Sequence, residues 1–301
     1  MSAEGFDAPM TVLALIEAMA VQLESAGLSS SDGFGQGTTN AFDEAAWLVL
    51  WKLSLPLNDL ASVGNQPVMP AEQARVIAFV DARISTRKPV AYLTNEAWLM
   101  GVSFYVDERV IIPRSLIAEL IEDGSIDPWL SDETQRVLDL CTGNGSLAVL
   151  AALAYSDVDV DAADISPDAL AVAQINIDRH QLAGRITLLK SDGLNACRGG
   201  YDLILCNPPY VNAVSMAALP AEFRAEPSVA LAGGGDGMDF IRNLLPAAAS
   251  RMNENAVLVL EIGNERANFE NAFPTLEPLW FETSSGADQV LLLTRQQLVV
   301  R

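Results

Sequence analysis

Apolar residues recur at i, i+3 and i+4 through "MTVLALIEAMAVQLESAG" (10–27), "AFDEAAWLVLWKLSL" (41–55) and "PAEQARVIAFVDARIS" (70–85). That spacing lays one apolar stripe along a helix. Pro70 stands where a first helical residue belongs, since its missing amide would lack an intrahelical partner anyway. Residues 1–88 are therefore predicted to form a small helical domain. From Pro89 to Pro113 the period changes. "PVAYLTNEAWLMGVSFYVDERVIIP" is rich in β-branched and aromatic residues and is broken at Gly101, which predicts a β-hairpin linker over 89–113.

Beyond a short helix at "SLIAELIED" (115–123), strand-like and helix-like runs alternate. The strands are "RVLDLC" (136–141), "VDVDAADI" (158–165), "ITLLKSD" (186–192) and "YDLILC" (201–206), and the intervening helices are "SLAVLAALAY" and "PDALAVAQINIDRH". Such alternation predicts an α/β domain over 114–301, a Rossmann-like, mostly parallel sheet with helices on both faces. Its ligands should bind at the carboxyl ends of the strands. "AGGGDG" (232–237) reads as a flexible loop.

Composition narrows the chemistry. The 301 residues are 50% hydrophobic and 19% charged, with a formal net charge of −21. No basic run is longer than Arg87–Lys88, so direct nucleic-acid binding is disfavoured, whereas a basic protein partner would be steered toward this surface. Cys141, Cys197 and Cys206 lack CxxC spacing, and His180 is the single histidine. No metal site is expected. The start of the chain lacks a basic segment followed by an apolar core, and no long apolar run follows, so a cytoplasmic protein with no membrane segment is expected.

Each strand of the second half ends on polar residues. The first closes with "DLCTGNGS" (Asp139–Ser146), where Gly143 and Gly145 let backbone amides approach a ligand as the next helix begins. The second closes with Asp164, nineteen positions beyond Gly145. A carboxylate at about 20 residues from such a loop suits a ribose hydroxyl, so the two together indicate a nucleoside-containing cofactor. Asp192, in "KSDG", suits an exocyclic adenine nitrogen, and a helix N-cap is the alternative. The fourth strand ends in "NPPY" (Asn207–Tyr210), where two prolines preclude further sheet pairing and stiffen the chain. Methyl transfer to a planar amide nitrogen accounts for this element. Asn207 would accept one amide N–H, the carbonyl of Pro208 the other, and Tyr210 would pack on the amide plane.

The combination of "VLDLCTGNGSLAV", "DISPDALAVAQINI", "NPPYV" and "EFRAEPSVALAGGGDGMDFI" resembles the class I S-adenosylmethionine-dependent N(5)-glutamine methyltransferases. "PVAYLTNEAWLMGVSFYVDERVIIPRSLIAELI" and "GTTNAFDEA" are similar to the branch that acts on large-subunit ribosomal protein L3. The chain departs from that branch at Gln36, where "HGT" is expected. The resemblance implies that S-adenosylmethionine contacts Asp139, Cys141, Thr142, Gly143, Asn144, Gly145, Asp164, Ile165, Asp192, Gly193 and Asn207. It also implies that Asn207, Pro208, Pro209 and Tyr210 hold the glutamine amide, and that the N-terminal helices recognise a basic ribosomal protein. Release-factor glutamine methylation shares these catalytic residues, although "IPRSLIAELI" departs from the "PRPETE" type expected there. Adenine methylation of nucleic acid and a non-catalytic ribosome-assembly role remain further alternatives.

With a net charge of −21, association with a basic ribosomal protein should slow as salt rises from about 50 to about 300 mM, over which the screening length more than halves. Stopped-flow association rates that stay flat across that range would contradict electrostatic steering.

Overall fold

The structure, a computed structural model, describes residues 9–28 and 37–299; Gln36 lies outside the described residues. Two compact units divide the chain. One comprises the described residues up to Glu96 together with Pro220–Ala225, and the other comprises Ala97–Leu219 and Glu226 onward.

The first unit contains β1 (Met10–Thr11), α1 (Val12–Ser25), α2 (Ala41–Lys52), α3 (Leu60–Val63), β2 (Pro67–Val68), α4 (Pro70–Thr86) and α5 (Val90–Thr94). The apolar stripe of α1 becomes its buried face through Val12, Leu15, Ile16, Met19 and Leu23. Thr11 and Asn40 cap α1 and α2 by accepting the amides of Ala14 and Asp43, which satisfies donors that a helix start leaves open. Between the helices sits a buried ion cluster. Arg83 donates from Nε to Glu44 at 2.8 Å and from Nη1 to Glu222 at 3.2 Å. Thr38 adds a hydroxyl to Glu44 at 3.0 Å. Arg83, Glu44 and Glu222 are all at most 2% exposed, so each charge depends on its partners for the solvation it has lost.

The expected hairpin over 89–113 is shorter than its composition implied. Pro89 instead caps α5, and Asn95 closes that helix in the left-handed conformation (φ +53°). Pairing is confined to β3 (Ala97–Leu99) and β4 (Val102–Phe104). They are joined through Met100 and Gly101, both at positive φ, the backbone a two-residue hairpin turn requires. Residues 105–113 carry no regular structure.

The second unit follows with α6 (Ile117–Glu122), β5 (Arg136–Leu140), α7 (Ser146–Ala154), β6 (Asp159–Asp164), α8 (Pro167–Arg179), β7 (Ile186–Lys190), β8 (Tyr201–Cys206) and α9 (Ala213–Ala218). It continues through α10 (Asp239–Ala248), β9 (Met252–Glu261), α11 (Arg266–Ala272), β10 (Leu279–Thr283), β11 (Gly286–Thr294) and α12 (Arg295–Val299). Its seven-stranded sheet has the order β10-β11-β9-β8-β5-β6-β7. The strands from β7 to β9 are parallel, and the β10–β11 hairpin adds an antiparallel edge. The four strands read from sequence fall at their expected places, and the alternation along β8 explains their apolar texture. Leu203 and Leu205 enter a core with α6, α7 and α8, while Ile204 and Cys206 enter the opposite core with α10, α11 and α12. A parallel strand covered on both faces needs apolar residues at successive positions. "AGGGDG" is tied down where a flexible loop was expected: Gly233 N–H donates to Val211 O at 2.9 Å and Asp239 N–H to Gly233 O at 3.1 Å. Among the described residues, no helix is long and apolar enough to cross a membrane.

Removing Arg83 would leave the buried Glu44 without its guanidinium partner, while Glu222 keeps Arg87, whose Nε stands 2.6 Å from it. Arg83→Ala should therefore destabilise the first unit by about 3 to 5 kcal/mol, the range for breaking a buried ion pair from one side. Chemical denaturation followed by tryptophan fluorescence checks this, and a loss below about 1 kcal/mol, the scale of an exposed pair, would contradict it.

Candidate active site at the carboxyl ends of the parallel strands

The chain runs outward from β5 to β6 and β7, then returns to β8 on the other side of β5. At such a reversal the connections leave in opposite directions and open a crevice. A cavity of about 310 Å³ lies there, the size of a small-molecule site.

The loop after β5 forms its floor. Gly145 adopts φ +81° to start α7, and a β-carbon there would stand 3.1 Å from that of Ala173 on α8, so glycine serves both the turn and the close helix approach. Gly143 N–H donates to Asp164 Oδ2 and Ser166 N–H to Asp164 Oδ1, each at 2.9 Å. These amides fix the Asp164 carboxylate at the end of β6, and each oxygen retains accepting capacity. Burial pushes its pKa up, against the opposing pull of the two amides.

Asp139, in β5, is 1% exposed. Its Oδ2 accepts from the Thr142 hydroxyl at 2.5 Å and from Ala148 N–H at 3.0 Å. Its Oδ1 is buried without a hydrogen-bond partner among the described residues. Burial pushes the carboxyl up to about 7, the negative charge of Asp164 adding to the effect and the two hydrogen bonds opposing it.

The cavity brings together Asp139, Cys141, Thr142, Gly143, Asn144, Asp164, Ile165, Asp192, Gly193, Asn207 and Pro209. Gly145, Pro208 and Tyr210 lie outside its lining. Asn207 follows β8 directly, and its side-chain amide has no hydrogen-bond partner among the described residues. Tyr210 donates its hydroxyl to Glu261 at 3.2 Å. Burial, and then the Glu261 charge, push its phenol far above the ordinary range, so it stays protonated.

Sequence reasoning missed one wall of the cavity. Arg109, Val110, Ile111, Pro113, Arg114 and Ser115, assigned mostly to a hairpin, line it together with Phe240. Arg114 makes a two-pronged pair with Glu226, 2.6 Å on each side, and Glu226 also accepts Ile112 N–H at 3.1 Å. Asn144 Nδ2 donates to Ile111 O at 3.3 Å. These bonds join positions more than thirty apart in sequence, so no local period announces them.

Residues 126–260 match the methyltransferase small domain family. The chain is 52% identical to the ribosomal protein uL3 glutamine methyltransferase of Bordetella pertussis over 267 residues, covering 88% of this chain and 89% of that protein. It is 50% identical to the Burkholderia pseudomallei protein of the same name, again covering 88% and 89%. The Neisseria gonorrhoeae protein of that name is 48% identical, with the same two coverages. With a parallel sheet, a strand-end crevice and identity at this level along nearly the whole length, the chain belongs to the family of ribosomal protein uL3 glutamine methyltransferases.

Proposed function

We propose that this chain methylates the side-chain amide nitrogen of a glutamine in ribosomal protein uL3, with Asn207 and the carbonyl of Pro208 orienting that amide. The observation that carries the reading is Asn207 itself: it stands at the end of β8, lines the cavity and has a side-chain amide with no partner of its own among the described residues.

S-adenosylmethionine, when bound, supplies a methyl group on a sulfonium sulfur. The residues present fit it. Asp139, Asp164 and Asp192 give the cavity three carboxylates, and the unpartnered Oδ1 of Asp139 suits the positive charge that this cofactor carries. Cys141–Asn144 would lie along it, with Gly145 shaping their loop. Asp164 beside Ile165 would take the ribose side, and Asp192 with Gly193 the adenine side.

An amide nitrogen is a weak nucleophile because its lone pair is delocalised into the carbonyl, so orientation supplies much of the acceleration. Asn207 Oδ1 accepts one amide N–H and the Pro208 carbonyl the other, which directs the nitrogen's lone-pair axis along the line of transfer. The prolines at 208 and 209 stiffen that carbonyl. With the cofactor bound, the glutamine nitrogen would take the methyl, the bonding pair staying with sulfur, and would shed its proton to solvent. No side-chain base is needed, and the protonated Tyr210 phenol cannot serve as one. The acidic surface suits a basic ribosomal protein.

Asn207→Ala should lower single-turnover methylation of purified uL3 by on the order of 10²-fold, the usual cost of one preorganised polar group. Cofactor affinity measured by calorimetry should change much less. Near wild-type turnover would reduce "NPPY" to a rigid turn.

Asp139 gives a second expectation. Its carboxyl is raised from 3.8 to about 7, so the stability tied to the protonated form is full below about 3.8 and is lost as pH rises through about 7. Asp139→Asn does not titrate. Its stability relative to wild type, without cofactor, should improve between about pH 4 and pH 8 by roughly 1.4 kcal/mol for each unit of that shift, while its cofactor affinity falls. A stability difference independent of pH would contradict the assignment of a buried, raised Asp139.

A further inference from the structure

Tyr210 is held on several sides, and none of the groups holding it was visible as part of the site in sequence. Glu261 closes β9 and is 3% exposed. One of its oxygens, Oε1, accepts the Tyr210 hydroxyl at 3.2 Å. The other, Oε2, accepts the Ser115 hydroxyl at 2.6 Å and Leu116 N–H at 2.9 Å. One buried carboxylate thus joins the end of "NPPY" to Ser115, a residue of the cavity wall.

Glycines complete the enclosure. A β-carbon at Gly263 would fall 2.5 Å from Tyr210 Cε2, and one at Gly237 would fall 2.3 Å from the Tyr210 carbonyl oxygen. Neither position has room for a side chain, so the ring and the backbone of Tyr210 are both fixed by close contact.

We infer that Glu261 is a positioning residue for methyl transfer, holding Tyr210 as an anchor whose fixed place sets the Asn207–Pro209 segment against the wall at Ser115. The inference rests on the proposed amide-orienting role of Asn207 and Pro208. Glu261 does not itself line the cavity; its effect passes through Tyr210 and Ser115, the residues it holds. Burying a carboxylate is costly unless several donors converge on it, and here two hydroxyls and a backbone amide do. A phenylalanine at 210 would fill the same enclosure without the bond, which makes Tyr210→Phe a clean probe of the hydroxyl.

The test is a double-mutant cycle of Glu261→Gln and Tyr210→Phe, read as single-turnover methylation of purified uL3 alongside cofactor affinity. Each single variant should slow transfer by about tenfold, within the coupling seen between residues in contact. The double variant should be no slower than the slower single, and cofactor affinity should stay within about twofold of wild type. Independent effects that multiply, an unchanged rate in folded Glu261→Gln, or a loss of cofactor affinity as large as the loss of rate would each overturn the inference. Should Glu261→Gln fail to fold, Ser115→Ala withdraws one donor from the same carboxylate. It should slow transfer by about threefold in the wild-type background and not at all beside Tyr210→Phe, and multiplying effects there would overturn the inference equally. Asn207→Ala in parallel separates the two readings. If it stays fast, the amide-orienting role fails; if it is slow while the cycle is multiplicative, only the Glu261 role fails.

Discussion

The adjacency of β5 and β8 in a parallel sheet is the constraint on which the site depends. Leu140 pairs in register with Cys206, so the next residues of both strands, Cys141 and Asn207, emerge side by side at the same sheet edge. One strand leads into a glycine loop that starts a helix, and the other leads into two prolines. The residues of the proposed cofactor side and amide side are therefore brought together by backbone hydrogen bonds between segments more than sixty residues apart. No single loop has to reach across the crevice.

That edge is built at a cost in stability. Asp139 and Glu261 are carboxylates buried beside the cavity, and burial raises the pKa of both. They differ in how the cost is met. Every oxygen of Glu261 has a protein donor, which suits a structural anchor. Asp139 leaves one oxygen without a partner among the described residues, which suits a group that awaits a ligand. A buried polar atom left open in this way has a physical cost of about 1 to 3 kcal/mol, and function is the usual reason for tolerating it.

Much of the α/β unit was legible because its periods are local. "RVLDLC" and "YDLILC" are short apolar runs, and "PDALAVAQINIDRH" carries a helical stripe with Pro167 at its start. At the strand ends, residue type singled out Asn207 and the two prolines after it, and Asn207 and Pro209 line the cavity. What stayed hidden depends on distant pairing. The stretch 89–96 has strand-like composition, yet Pro89 and the left-handed Asn95 confine it to one helical turn. The wall at 109–115 has no regular period, and Glu226, more than a hundred residues away, pairs with Arg114 and accepts Ile112 N–H. "AGGGDG" looks unstructured in sequence because its glycines have no side chains to form a pattern; Gly233 and Gly237 leave room for the backbone of Tyr210, and Gly234 for the Asp239 carboxylate.

The reaction proposed at these strand ends is methyl transfer to an amide nitrogen of a ribosomal protein. The most direct measurement incubates the purified chain with isotopically methyl-labelled S-adenosylmethionine and purified uL3, then locates the label by tandem mass spectrometry. One labelled methyl on the side-chain nitrogen of a glutamine is expected. Label confined to another residue type, or uL3 left unmodified while co-supplied release factor or nucleic acid takes the methyl, would contradict it.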